Sequence, residues 1–92
     1  MTEDQQCFFA MLDNYQSICK FWNPRELSLD IPKLKQELNQ LSTGERHMAT
    51  FFASVWLGES SSFPFDVLDA LKIIDPKSRN VVLKWLKKPF FP

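Results

Sequence analysis

The fold is decided by residues 43–57, TGERHMATFFASVWL. Ser42 and Glu45 form a capping box that starts a helix at this point, and Gly58 supplies the stop at its end. Apolar side chains cover more than half of the circumference of this helix: Met48, Ala49, Phe51, Phe52, Ala53, Val55 and Trp56. A helix with so wide an apolar arc is typical of the centre of a bundle.

Four further helices are predicted around this central helix, over approximately residues 3–22, 31–41, 65–73 and 76–88. Their starts are marked by Thr2 with Gln5, by Asp30, by Asp66 in a first turn, and by Asp75 before a proline. Residues 24–30 can be either extended or a short turn. The prediction is an all-α, compact bundle of about five helices in a single domain over residues 1–92, with a short Pro/Phe tail at 89–92.

The composition fits a small domain with a dense aromatic core. Hydrophobic residues make up 45% of the 92 residues, including nine Phe and three Trp but one Tyr. Charge is unevenly distributed although the net charge is zero. Residues 1–71 hold five Lys or Arg against ten Asp or Glu, whereas residues 72–92 hold six against one. The C-terminal segment is therefore basic on an otherwise acidic body.

The sequence also predicts a cellular compartment. Cys7 and Cys19 fall on one predicted helix, about 18 Å apart along its axis, too far for a disulfide. The polar, acidic first residues do not resemble a signal peptide. The longest apolar stretch, residues 49–57, is far shorter than the ~20 residues that span a bilayer. We therefore expect a cytoplasmic protein with free thiols and no membrane association.

The stretch from Gly44 to Leu86 resembles a known family. Its features are the helix MATFFASVW, a polar loop, the segment FPFDVLDAL, and IDP before a final helix. This pattern is similar to a family of small uncharacterised proteins of bacterial plasmids, prophages and integrative elements. The resemblance implies a bacterial mobile genetic element as the setting. It implies no catalytic or binding residue, because none is defined for that family.

Lysines of the last predicted helix form the most coherent candidate surface. Lys77, Lys84, Lys87 and Lys88 fall within an arc of about 100°, with Asn80 among them. Such a row can contact phosphates or an acidic protein groove. Alternatively, lysines near a helix C-terminus favour the helix dipole and keep the surface hydrated. Arginine, the usual reader of bases, is limited to Arg79 here, which argues against sequence-specific DNA recognition.

Four aromatic residues depart from the helical pattern and are candidate anchors for a partner. Phe9 falls on the polar side of the first helix and Phe21 at its margin, while Phe90 and Phe91 lie in the tail between two prolines. The alternative for Phe9 and Phe21 is burial by a bundle that wraps around the first helix. The tail can either fold back on the core or stay free.

No residue pattern indicates catalysis, a metal or a cofactor. Asp66 and Asp69 share a helix face near Glu59, but they lack further ligands at metal-binding spacing, and the helix dipole explains Asp66 alone. His47 is the single histidine and has no finger-type partner in the two cysteines. The sequence therefore predicts a chain that is not an enzyme, with no catalytic residue, metal or cofactor.

The function predicted from the sequence is binding of another macromolecule. The leading hypothesis is a protein–protein interaction, for example modulation or inhibition of a host complex by a mobile element. The candidate residues are Lys77, Lys84, Lys87, Lys88, Phe9, Phe90 and Phe91. The alternative is a nucleic-acid-associated regulator that uses the basic C-terminal helix. A homodimer formed through the tail or the first helix is a related hypothesis.

Overall fold

A computed structural model describes residues 1–92 and is mostly helical. It contains six α-helices, one 3-10 helix over Leu38–Gln40 and one two-stranded sheet. The elements in chain order are α1 (Glu3–Leu12), α2 (Gln16–Cys19), β1 (Trp22–Asn23), β2 (Ser28–Leu29), α3 (Ile31–Glu37), α4 (Thr43–Leu57), α5 (Val67–Ile73) and α6 (Pro76–Lys87). This is the predicted helical class with a minor β-hairpin added. None of the helices has the length and apolar content needed to cross a bilayer.

Helix α4 occupies the centre of the molecule, with the bounds that the sequence predicts. Both halves of the Ser42–Glu45 capping box are formed, and Gly58 ends the helix with a left-handed φ of 71°. Seven of its fifteen residues are buried. Phe52 is fully buried and makes edge-to-face contacts with Phe8 and Tyr15, at ring-centroid distances of 5.6 and 5.3 Å. The aromatic residues therefore join α4 to the N-terminal segment in one core.

The prediction of one continuous helix over residues 3–22 is wrong. Helix α1 ends at Leu12, and a separate turn of helix, α2, begins at Gln16. Asn14 explains part of the break, because its side-chain amide donates to the carbonyl oxygens of Ala10 and Met11 and so competes with continuation of the helix. Tyr15 then leaves the helical region, with φ −120° and ψ 83°. This change in backbone direction brings the Tyr15 ring against Phe52 in the core.

The break also changes which side of α1 is buried. Its buried residues are Phe8, Phe9 and Leu12, whereas Cys7 is exposed. A single helical wheel over residues 3–22 combines two helices, α1 and α2, that bury different sides. For this reason the wheel wrongly places Phe9 on the polar side. Both cysteines are free, although they do not lie on one helix.

Residues 22–29 form a β-hairpin, which contains most of residues 24–30, the stretch that the sequence left undecided between extended chain and a short turn. Strand β1 pairs antiparallel with β2, in the register Trp22 to Leu29 and Asn23 to Ser28. The Asn23 side-chain oxygen accepts from two backbone N–H groups of the turn. Leu27 completes it with a φ of 52°, a left-handed conformation that glycine and asparagine adopt more readily.

The other predicted helices are present with shifts at their ends. Helix α3 stops at Glu37 and continues as the 3-10 helix to residue 40. Helix α5 begins two residues after the prediction because the Asp66 side chain caps it, by accepting from the Asp69 N–H at 3.0 Å. Asp75 caps α6 by the same means, through the N–H of Ser78 at 2.7 Å.

Candidate interaction surface

Helix α6 displays its lysines to solvent, as the sequence predicts. Its four candidate lysines, together called the basic face, are all exposed: Lys77, Lys84, Lys87 and Lys88. None of them pairs with a carboxylate, since the molecule contains a single ion pair, between Lys20 and Glu37 at 3.2 Å. The opposite side of α6 packs on the core through Ser78 and Val82. The basic face is thus a row of unpaired positive charges.

Two exposed leucines of α6 lie beside the basic face. Leu83 is 48% exposed and Leu86 is 43% exposed. At 100° per residue, Leu83 lies 40° from Lys87 on the surface of α6. The helical geometry that groups the lysines on one side of the last helix also predicts that Leu83 faces solvent. Leu83 could therefore have been identified from the sequence alone. The outward side of α6 is therefore both basic and apolar.

The C-terminal tail folds back against the end of α6. The Trp85 indole N–H donates to the carbonyl oxygen of Phe90 at 2.9 Å. Phe90 is half-buried against the core, whereas Phe91 is 60% exposed with its ring edge-to-face on Trp85 at 5.5 Å. Of the two candidate tail aromatics, Phe91 is the one that solvent reaches.

A shallow groove of about 260 Å³ opens between the start of α5 and the end of α6. Phe51 of α4 forms its floor, since its ring lies 5.3 Å from that of Phe65 and 5.7 Å from that of Trp85. One wall is the segment from Glu59 to Val67, and the other is the end of α6 with Phe91. We call this feature the C-terminal groove. Most of its lining is apolar.

The loop wall of the groove carries a fixed negative charge. The Glu59 carboxylate accepts hydrogen bonds from the hydroxyl of Ser61 and then from its backbone N–H. These bonds favour the charged form and lower the pKa of Glu59 below its ordinary value. Ser54 of α4 holds the same segment in place by donating to the carbonyl oxygen of Phe63 at 2.8 Å.

A second, polar cleft of about 430 Å³ lies at the other end of α6. The Tyr15 and Ser78 side chains line it, and their hydroxyls are hydrogen-bonded to each other at 2.9 Å. Burial is the main cause that raises the pKa of Tyr15. Lys77 lines this cleft, so the structure places Lys77 near the start of α6 and away from the C-terminal groove.

The other residues that the sequence singles out, Phe9, Phe21 and His47, contribute to the fold. Phe9 is 8% exposed and packs against Phe8 and Trp56, so it belongs to the core and not to a partner surface. Phe21 is also buried. The His47 carbonyl oxygen accepts from the Thr50 hydroxyl within α4. No group of three His, Cys, Asp or Glu side chains lies close enough to hold a metal ion.

Comparisons with protein-family models, with curated proteins and with solved structures find no match for this chain. The resemblance of residues 44–86 to mobile-element proteins stays a prediction from the sequence.

Proposed function

We propose that this protein is not an enzyme and acts by binding another protein, through Leu83 and the basic face of α6. The observation that carries the proposal is an exposed leucine beside four exposed lysines that have no carboxylate partner. Exposed apolar side chains supply binding free energy when a partner covers them. Unpaired charges around them steer an oppositely charged partner and select it over others.

The partner that fits this surface is a protein with an apolar depression surrounded by Asp and Glu. Helix α6 contains no acidic residue. Its positively charged residues, together with the adjoining Lys88, are Lys77, Arg79, Lys84 and Lys87. An acidic surface would meet one like charge beside this helix, the exposed N-cap Asp75, and none along the helix itself. Leu83 would then enter the apolar depression and add affinity.

Nucleic acid is the second candidate ligand, and the row of unpaired lysines is the observation in its favour. Lysines that neutralise phosphates release counterions, so the affinity for nucleic acid falls steeply as the salt concentration rises. The Leu83 side chain has no charge or hydrogen-bond donor that could contact a phosphate. A protein partner therefore accounts for more of the exposed residues than a nucleic acid does.

The resemblance to mobile-element proteins, taken with this surface, favours a bacterial host complex as the target. In that setting the protein would modulate or inhibit the complex by occupying an acidic docking site. We place the protein in the cytoplasm, where Cys7 and Cys19 would remain reduced.

The direct test is affinity capture from a bacterial lysate, with and without nuclease, using the immobilised protein. Two variants probe the surface: Leu83→Ser, and the pair Lys77→Glu with Lys84→Glu. Two matched variants elsewhere serve as controls: Leu27→Ser, and the pair Arg25→Glu with Lys33→Glu. All these side chains are exposed, so the folded state should persist in each variant.

A stoichiometric protein that survives nuclease, is lost with both surface variants and is retained by both controls would support the proposal. Capture of nucleic acid alone, weakening with salt and unaffected by Leu83→Ser, would replace it with the second candidate. Capture that only the control variants disturb would show that α6 is not the binding surface.

A further inference from the structure

We propose that the tail and the first turn of α1 form a clasp, a contact that opens and closes as one unit while the helices stay folded. The residues of the clasp are Gln5 on one side and Trp85, Phe90 and Pro92 on the other. This inference goes beyond the proposed function, because it needs no partner and does not involve Leu83 or the basic face. It describes a conformational device that links the tail to the start of the first helix.

Side-chain contacts, and not backbone pairing, hold the tail in place. No backbone–backbone hydrogen bond involves residues 89–92. The Trp85 indole N–H donates to the Phe90 carbonyl oxygen at 2.9 Å, and the Phe91 ring lies edge-to-face on the Trp85 ring. Because these few contacts are separate from the hydrogen bonds of the helices, the tail can detach without breaking a helix.

The Gln5 side chain connects the tail to the cap of α1. Its Oε1 atom accepts from the Thr2 N–H at 2.8 Å, which is one half of the capping box of α1. Its Nε2 atom donates to the carbonyl oxygen of Pro92 at 3.4 Å. Since the amide oxygen accepts and the amide nitrogen donates, both bonds form in the same orientation of the amide group. One side chain therefore serves the cap and the tail together.

The exposure of the residues agrees with this contact. From Met1 to Cys7 every residue except Gln5 is exposed. Pro92 is likewise half-buried, although the neighbouring Phe91 is 60% exposed. The bond between Gln5 and Pro92 is thus partly sheltered, and water competes less well for a sheltered hydrogen bond.

A shared side chain makes the two contacts interdependent. Ordering a glutamine side chain costs conformational entropy, and in the clasp this cost is incurred once for two hydrogen bonds. Docking of the tail therefore strengthens the cap, and an intact cap holds the tail, because coupling between two sites is reciprocal. A molecule that captured the tail would loosen the start of α1, and a stabilised cap would oppose that capture to the same degree.

The experiment measures hydrogen exchange by NMR on the full chain, with probes on both sides of the clasp. The Trp85 indole N–H reports on the tail, because it bonds to Phe90. The backbone N–H groups of Gln5 and Gln6 report on the cap, because both bond to Thr2.

The first variant, Gln5→Glu, opens the clasp from the side of α1. It keeps a side-chain acceptor for the Thr2 N–H but removes the donor to Pro92. We expect the Trp85 indole N–H to exchange about two- to tenfold faster than in the wild type, which corresponds to the loss of one hydrogen bond. The matched control is Gln6→Glu, which adds the same charge to the same turn at an exposed side chain and should leave this exchange unchanged.

The second variant, Trp85→Phe, opens the clasp from the side of the tail. The Gln5 and Gln6 amides should then exchange about two- to tenfold faster relative to the amide of Phe52. Phe52 lies in the buried middle of α4 and reports global unfolding.

Faster exchange on the side of the clasp that was not substituted, in both variants, would support the proposal. An unchanged Trp85 indole in Gln5→Glu would overturn it, and so would unchanged cap amides in Trp85→Phe. Equal acceleration of the Phe52 amide would also overturn it, because the opening would then be global. None of these results depends on capture of a partner, so failure of the clasp and failure of the proposed function are distinguishable.

Discussion

The indole N–H of Trp85 and the carbonyl oxygen of Phe90 form a 2.9 Å hydrogen bond that turns the tail back along α6. This bond fixes Phe90 against the core and presents Phe91 at the groove. Trp85 therefore acts both as a wall of the groove and as the attachment point of the tail.

Replacement of this indole should release the tail without unfolding the molecule. Trp85→Phe keeps most of the apolar ring but removes the donor, so the Phe90–Phe91 bond should become more accessible to chymotrypsin. We expect faster release of the dipeptide Phe91-Pro92, followed by mass spectrometry at low protease concentration. The control is Trp56→Phe, because the Trp56 ring packs against Phe8 and Phe9 of α1 instead of the tail aromatics. Equal release rates in both variants would show that the hydrogen bond does not hold the tail.

The Tyr15–Ser78 hydrogen bond should couple the N-terminal segment to α6. Tyr15→Phe and Ser78→Ala should each lower the free energy of unfolding by about 1 kcal/mol, because each removes one partner of a partly buried bond. The double variant should lose less than the sum of the two single losses. Urea denaturation of the four proteins measures this difference. Strictly additive losses would mean that the two hydroxyls do not interact.

Glu45 should contribute to the loss of stability in acid. Hydrogen bonds, first from the Ser17 hydroxyl and then from Ser42, lower the pKa of Glu45 in the folded state. A carboxyl with a lowered folded pKa stabilises the fold above its unfolded pKa. That contribution disappears as the pH falls through the folded pKa. Glu45→Gln should therefore lower the melting temperature at pH 7, and the difference from wild type should shrink as the pH falls below the ordinary glutamate pKa of about 4.3.

The control for this pH dependence is Glu26→Gln in the exposed turn of the hairpin, whose carboxylate accepts no hydrogen bond. Its melting temperature should follow that of the wild type at every pH. A difference between Glu45→Gln and wild type that stays constant from pH 7 to the acid unfolding of the protein would contradict the role of the Ser17–Glu45 bond.

Leu27 should be a site where a simple substitution stabilises the protein. Its φ of 52° costs a side-chain-bearing residue about 1–2 kcal/mol, whereas glycine adopts it freely but loses more entropy on folding. Leu27→Gly should therefore raise the free energy of unfolding by up to about 1 kcal/mol.

Gly58→Ala is the opposite substitution, at the end of α4, where φ is 71° and an added Cβ meets no atom within 4 Å. It should destabilise by about 1 kcal/mol through backbone strain alone.

Sequence reasoning succeeded where a single local interaction sets the structure. The Ser42–Glu45 box and Gly58 define α4, and each depends on residues within one helical turn. Asp30 and Asp75 likewise mark the starts of α3 and α6. The exposed lysines of α6 follow from the same helical geometry, because the helix is amphipathic and its bounds are clear.

The parts that the sequence did not reveal depend on tertiary contacts. The break after Leu12 is stabilised when Tyr15 reaches Phe52 and Ser78, which are 37 and 63 residues away, and no local pattern signals this contact. Burial of Phe9 depends on Trp56 of α4. The C-terminal groove is formed by three segments that are distant in sequence, so neither its walls nor its floor can be read from one stretch.

The Gln5 side chain donates a 3.4 Å hydrogen bond to the carbonyl oxygen of Pro92, so residues near both ends of the chain meet at one corner of the molecule. A fluorophore at position 1 would therefore be quenched by a contact quencher at position 92 in the folded state. Detachment of the tail would relieve the quenching while the helices stay intact, whereas global unfolding would relieve the quenching and remove the helices together. Fluorescence from a pair of labels at the two ends therefore reports whether the tail is docked, and it distinguishes movement of Phe91 from loss of the fold.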